Sequence, residues 1–297
     1  MRKILQKEVI MQNLSTFKAH TKVAQTLLES IPFIREFRGN VIVIKYGGAA
    51  QITPKLKESF ALDLVLLYMV GIKPVIVHGG GKRIDSMIAK LGIESEFKDG
   101  YRVTSKECMN IVEMVLSGEI NKELSAFLNL HGAQAVGLSG KDSAMLKARP
   151  KDNGTFGYTG EITEVNTRLL ENLLNEGFLP VIAPIAMSED SIGLNINADI
   201  AACEIAKALK AQKVIFLTDT AGVLDSQGEL ISSLTPQNIA ELKKEGVISG
   251  GMIPKLEACI SCVESSVQKA HIIDGRIEHS LLLELFTNQG IGTQITK

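Results

Sequence analysis

Four short runs rich in β-branched residues constrain this chain more than any other feature. VIVIKYGG (41–48), PVIVHGGG (74–81), LPVIAPI (179–185) and KVIFLTD (213–219) are apolar almost throughout and break at glycine, proline or aspartate. Runs without polar alternation predict strands covered on both faces, the habit of a parallel sheet clothed in helices. Segments of helical period separate them, at 58–70, 82–91, 106–130, 168–176 and 198–209. This alternation predicts an α/β fold, a three-layer αβα sandwich with a mainly parallel central sheet. Glycines at the strand ends place ligand chemistry at the carboxyl edge of that sheet.

Two stretches stand apart. Residues 143–168 mix Gly, Thr, Lys and Pro with alternating apolar positions and predict hairpins projecting from the sheet. Before the first strand, Leu14, Phe17, Ala24, Leu27, Leu28 and Ile31 recur at helical spacing, and Pro32 is expected to end that helix. Its apolar stripe packs back on its own subunit or docks on another; the residues alone leave both open. Cys259 and Cys262 form a C-x2-C pair within KLEACISCVESSV, which reads as a helix. No second pair and no histidines at metal spacing accompany it. These two, with Cys108 and Cys203, are expected as small core residues, and no metal site is expected.

Composition narrows the function classes. The 297 residues amount to about two domain-lengths, and 45% hydrophobic content supplies a large core. Lys+Arg number 32 against 33 Asp+Glu, a net charge of −1, without the basic excess of a general nucleic-acid or membrane-surface binder. Apolar runs such as 64–70 fall far short of the ~20 residues that span a bilayer. No apolar stretch follows Arg2, Lys3 and Lys7, so no secretory signal is read and the cytoplasm is the expected compartment.

Anion handling is written into the strand ends. Lys45 is followed by Gly47 and Gly48, and His78-Gly79-Gly80-Gly81 opens a helix whose free amides and positive end favour an anion. Two familiar phosphate motifs are excluded. Neither Gly81-Lys82-Arg83 nor Gly140-Lys141-Asp142 completes a Walker A loop, and Ile84 stands where a dinucleotide fingerprint needs its third glycine. Further along, LNINAD sets Asn195 and Asp199 one helical turn apart, and GGMIPK carries Lys255 past a glycine turn. Arg102 in DGYRVTS offers a fork-shaped donor suited to a carboxylate.

Taken in order, KYGG, VIVHGGG, GYRVT, GLSGKD, LNINAD, FLTDTAGVL and GGMIPK resemble the amino-acid kinase superfamily, and within it the acetylglutamate kinases. The likeness covers about residues 38 to 297. It implies an amino-acid kinase fold with a helical extension (1–36), a domain for N-acetyl-L-glutamate and dimerisation (37–195), and a domain for ATP and an arginine effector (196–297). Lys45 and Lys255 would flank the transferring phosphoryl group, with Asp199 orienting both. Gly80, Gly81, Arg102 and Asn195 would hold the acyl substrate, Arg102 on its α-carboxylate. Gly47 and Gly48, with Asp219, Thr220, Ala221, Gly222, Val223 and Leu224, and Val247, Ile248 and Ser249, would line the nucleotide. His271, Glu284 and Gly290 resemble the part that binds L-arginine as feedback inhibitor, Glu284 pairing with the guanidinium. The N-terminal helix resembles that of arginine-sensitive members, where it interlocks dimers into a ring-shaped homohexamer. Such members often place an aromatic hydroxyl on that helix, whereas Phe17 is the only aromatic residue before Pro32 here.

The implied reaction suits these residue types. A carboxylate with a pKa of ~4.3 is ionised at pH 7 and needs no general base, in keeping with His78 as a structural residue. Bringing two anions together needs positioning and fixed positive charge, which lysines and glycine-loop amides supply. Two close lysines repel, so a carboxylate between them is physically reasonable. Mg²⁺ would arrive with ATP. Only 42 residues follow Lys255, fewer than the regulatory tail of an aspartate kinase requires. A non-catalytic nucleotide or arginine sensor would have no use for Lys45, Asp199 and Lys255 together.

Overall fold

The protein is described by a computed structural model covering residues 2–48, 53–248 and 250–297, with side chains from residue 20 onward. In chain order, the first half runs α1 (Arg2–Phe37), β1 (Val41–Tyr46), α2 (Pro54–Met69), β2 (Lys73–His78), α3 (Gly81–Lys90), β3 (Glu96–Lys98), β4 (Tyr101–Val103), α4 (Lys106–Glu113), α5 (Asn121–Leu130) and β5 (Ala135–Ser139). Then follow β6 (Leu146–Pro150), β7 (Gly160–Val165), α6 (Arg168–Asn175), β8 (Leu179–Ala183), β9 (Ile185–Met187), β10 (Gly193–Asn195) and α7 (Ala198–Ala208). The chain closes with β11 (Lys213–Thr218), β12 (Ser233–Leu234), α8 (Pro236–Lys244), α9 (Met252–Glu264), β13 (Lys269–Asp274), α10 (Ser280–Leu285) and β14 (Thr293–Ile295).

Among the described residues the main sheet has eight strands in the order β12-β14-β13-β11-β1-β2-β8-β5. Every pair in it is parallel except β13 with β14. Side chains of β1 alternate between the faces, as a period of two demands. Ile42, Ile44 and Tyr46 enter a core with Phe60 and Leu64 of α2 and Leu128 of α5, whereas Val43 enters one with α7 and α9. Helices therefore cover both faces, as the alternation of runs predicts. The 143–168 region forms the antiparallel β6–β7 pair of a separate four-stranded sheet, β10-β9-β6-β7.

Local chemistry sets the element ends. Thr53 caps α2 through Leu56 N with Pro54 at the first helical position, and Ser105 caps α4 through Cys108 N. The helix expected over 106–130 is continuous but not uniform, because Met114–Ile120 between α4 and α5 is a π-helix. Pro32 does not end α1, contrary to expectation. The ring removes the bond to the Leu28 carbonyl, yet Phe33 and fully buried Phe37 dock in the α2–α5 core and carry the helix one more turn. Upstream, Val23, Leu27 and Leu28 are each at least 60% exposed, and Ala24 and Ile31 are exposed, so within this chain the stripe is uncovered. Leu14 and Phe17 lie outside the residues whose side chains are described.

All four cysteines are free and buried, Cys203, Cys259 and Cys262 in the α7–α9 core and Cys108 on α4, in a core shared with α3. Among the described residues no helix is long and apolar enough to cross a membrane.

Candidate active site

Lys45 shares the Val43 face of β1, which brings its side chain over the start of α7. There its Nζ lies 2.9 Å from Asp199 Oδ1, while Lys255 Nζ donates to Asp199 Oδ2 at 2.9 Å. One carboxylate thus joins an ammonium from the middle of the sheet to one from the first turn of α9. Asn197 holds Asp199 in place, its Oδ1 capping α7 through Asp199 N (2.8 Å) and Ile200 N (3.3 Å). Burial pushes the Asp199 carboxyl up, but Lys45 and Lys255 outweigh it and bring the pKa down to about 2.

The glycines sit where backbone must come close. Gly79 N donates to Tyr46 O (2.7 Å), binding the ends of β1 and β2 together. A Cβ on Gly80 would run into Ile120 and stand 2.7 Å from Leu116 Cδ2, both on the π-helix, so any other residue must push those side-chain ends aside. Gly81 opens α3. His78 is wholly buried, its pKa lowered to about 4 by burial, so the ring is neutral. With Asn121 Nδ2 donating to Nε2 (3.2 Å), its Nδ1–H faces Gly79 O (3.1 Å), a structural role.

A cavity of about 240 Å³ runs along this edge, lined by Lys45, Gly47, Gly48, Gly80, Gly81, Arg102, Thr159, Asn195 and Asp199 among others. That is below the ~300–1,000 Å³ usual for drug-sized ligands and suits one amino-acid-sized molecule. Arg102 is buried, with NH2 donating to Asp85 Oδ1 (2.7 Å), NH1 to Ser95 Oγ (2.5 Å), and its plane over Phe97 (4.5 Å). Its carbonyl accepts from Thr159 Oγ1 (2.5 Å), Thr159 pairs with Thr104 (2.8 Å), and Asn195 Nδ2 donates to Thr104 Oγ1 (3.2 Å). The two expected substrate contacts are therefore linked through a buried hydroxyl pair. Among the described residues Asp199 is the only carboxylate in the lining, and both its oxygens face lysines, which leaves no fit there for a resident metal ion.

Other expected residues lie outside this cavity. Asp219, Thr220, Ala221, Gly222, Val223 and Leu224 follow the carboxyl end of β11. Gly222 (φ +147°) is pressed against Thr293, whose Oγ1 accepts from Val223 N (2.8 Å). Val247 is half-buried and Ile248 is a core side chain, while Ser249 lies outside the described residues.

His271, Glu284 and Gly290 do converge, at a separate point between β13 and α10. His271 Nδ1 meets Glu284 Oε1 at 2.5 Å, and Glu284 Oε2 accepts from Ile291 N (2.7 Å) and Gly292 N (3.1 Å). Burial holds His271 below its usual range, so the ring is neutral and donates from Nδ1; its Nε2 is buried without a protein partner. Burial works against the Glu284 charge as well, but His271 and the two amides lower its pKa. A Cβ on Gly290 (φ +63°) would strike Glu284 Oε2 at 2.7 Å. Lys213 joins this neighbourhood unanticipated by the sequence. It is buried over the Phe37 ring (4.6 Å), and burial together with Lys269 lowers its pKa to about 8. A lysine heading a wholly buried strand was the available signal. For Asp85, Ser95 and Thr159 there was none, and Thr104 lay within GYRVT without a role of its own.

The likenesses to known proteins accord with this geometry. The model of the "Amino acid kinase family" matches residues 40–274. The acetylglutamate kinase of Helicobacter hepaticus is 70% identical over 271 residues, 91% of this chain and 97% of that protein. The acetylglutamate kinase of Wolinella succinogenes is 63% identical, covering 93% and 98% respectively. Among solved structures, N-acetylglutamate synthase from Neisseria gonorrhoeae complexed with coenzyme A and L-arginine superposes with a TM-score of 0.78 at 26% identity. That match covers 92% of this chain and 65% of the synthase. With its mainly parallel sheet, the two lysines joined through one carboxylate and relatives of this similarity, the chain belongs to the amino acid kinase family of phosphotransferases, and within it to the acetylglutamate kinases.

Proposed function

We propose that this chain transfers the γ-phosphoryl group of ATP to the side-chain carboxylate of N-acetyl-L-glutamate, giving N-acetyl-L-glutamyl 5-phosphate and ADP in arginine biosynthesis. The observation that carries the reading is the Lys45–Asp199–Lys255 triad, two ammonium groups with both contacts at 2.9 Å beside an amino-acid-sized cavity. Before the nucleotide arrives, Asp199 relieves the repulsion between the lysines. During transfer, the two ammonium groups face the charge that spreads over the equatorial phosphoryl oxygens. The acceptor carboxylate is already ionised, so positioning does the remaining work. Arg102 and the amides of Gly80 and Gly81 fit an anionic substrate, and Asn195 a polar acyl-amino group. Mg²⁺ enters as part of the nucleotide substrate and neutralises its phosphates.

Residues 37–195 supply the acyl-substrate side and 196–297 the nucleotide side, where Asp219 to Leu224 and 247–249 line ATP. The His271–Glu284–Gly290 cluster is the L-arginine effector site; its unpartnered His271 Nε2 supports a polar ligand there. The uncovered stripe of α1 supports assembly into a homohexamer, a trimer of dimers, in the cytoplasm. The test is an ADP-release assay with N-acetylglutamate, glutamate, aspartate and carbamate, each with and without arginine. Turnover selective for N-acetylglutamate is expected; equal or greater turnover of another acceptor would sink the assignment.

A further inference from the structure

The Arg102 guanidinium is held by two groups that stand outside the cavity lining. Asp85, on the second turn of α3, accepts from NH2 at 2.7 Å, and Ser95 accepts from NH1 at 2.5 Å. Arg102 itself lines the cavity, and only two of its five N–H donors are engaged this way, leaving the rest for a ligand. Phe97 closes one face of the guanidinium plane. The side chain of Arg102 is 5% exposed, against 51% for Asp85. The half-exposed carboxylate meets a buried guanidinium that also faces the cavity, so the pair is more than a solvated surface contact. What it accomplishes is directional: an otherwise flexible side chain loses its rotamer freedom before any ligand arrives. Because Asp85 belongs to the helix whose first amides are those of Gly81 and its neighbours, the pair also ties that anion-favouring helix end to the guanidinium.

We propose that Asp85 is a positioning residue, fixing the Arg102 fork in register with the start of α3 so that both grip the α-carboxylate of the acyl substrate. This rests on the assignment of Arg102 to that carboxylate. The opposite role is physically distinct: Asp85 would occupy Arg102 in competition with substrate and have to be displaced.

The test uses the full-length chain carrying Asp85→Asn, Asp85→Glu, Arg102→Ala, or Asp85→Asn with Arg102→Ala. KM and kcat are measured for N-acetylglutamate and KM for ATP. Calorimetric binding of N-acetylglutamate and the thermal midpoint are followed alongside. A positioning role predicts that Asp85→Asn raises KM and weakens calorimetric binding by about fivefold to tenfold, the loss of one charge-assisted hold on the fork. Turnover and KM for ATP stay near wild type, Asp85→Glu recovers part of the loss, and Asp85→Asn adds nothing to KM once Arg102 is alanine. An unchanged or lowered KM in Asp85→Asn, with Arg102→Ala still raising it, overturns the positioning role alone. If Arg102→Ala leaves KM for N-acetylglutamate unchanged, the Arg102 assignment falls and this inference with it.

Discussion

At Asp199 a single carboxylate meets two ammonium groups, and its removal would leave two half-buried lysines facing each other. Lys45→Ala or Lys255→Ala should lower kcat by about 10²–10³-fold, the scale of losing one preorganised charge at a transition state, with the far-ultraviolet spectrum unchanged. Wild-type-like rates in either variant would remove the charge clamp. The Asp199 pKa is depressed to about 2, so its stabilising contribution is present above the ordinary carboxylate value. It is lost as pH falls from about 4 to about 2. Asp199→Asn should flatten that segment of the stability–pH curve, measured by urea unfolding; an unaltered slope would mean the ion pairs contribute nothing to folding. Lys45, Asp199, Lys255, Arg102 and Asn195 stood out in the sequence beside a strand end, a glycine turn or a helix start, and the family resemblance supplied their expected roles. Asp85, Thr104 and Thr159 did not stand out, since nothing local distinguishes a residue that serves another residue's orientation. Lys213 was marked only by its place at the head of an apolar run.

Among the elements, the junction of α2 with α10 carries a pH-sensitive contact. His279 Nδ1 lies 2.7 Å from Asp63 Oδ1 and its backbone N donates to Ser59 Oγ (2.6 Å). Burial raises the Asp63 pKa from 3.8 to about 6 despite His279. The folded chain thus holds a proton there that the unfolded chain releases, and this site's contribution to stability declines as pH rises from about 4 to about 6. Asp63→Asn should gain stability relative to wild type between urea melts at pH 4.5 and pH 7; a difference independent of pH would contradict the shift. Gly80→Ala should destabilise by about 1–3 kcal/mol through overpacking against Leu116 and Ile120, and a neutral urea midpoint would show that the π-helix yields. Helix α1 taught the opposite lesson from the strands. Pro32 is a reliable local stop signal, and two phenylalanines docked in a distant core override it. The π-helix was likewise invisible, because its hydrophobic period blends into the flanking turns of α4 and α5.

For the molecule as a whole, the uncovered stripe around Leu27 and Leu28 and the docked turn at Phe33–Phe37 behave as separable parts. Deleting residues 1–32 keeps the docked turn, so the catalytic body should fold and turn over. On the proposed assembly and effector site, light scattering should then report dimers in place of hexamers, and arginine inhibition should be blunted. A hexamer that survives the deletion would rule out assembly through α1. The layer architecture was legible from the alternation of four apolar runs with helical segments, whereas the uncovered face of α1 depends on what the chain fails to fold back upon. One property follows from β1 pairing with β2 on one side and β11 on the other. The backbone beneath Lys45 is hydrogen-bonded along both edges, so it opens with the core of the sheet and not by local fraying.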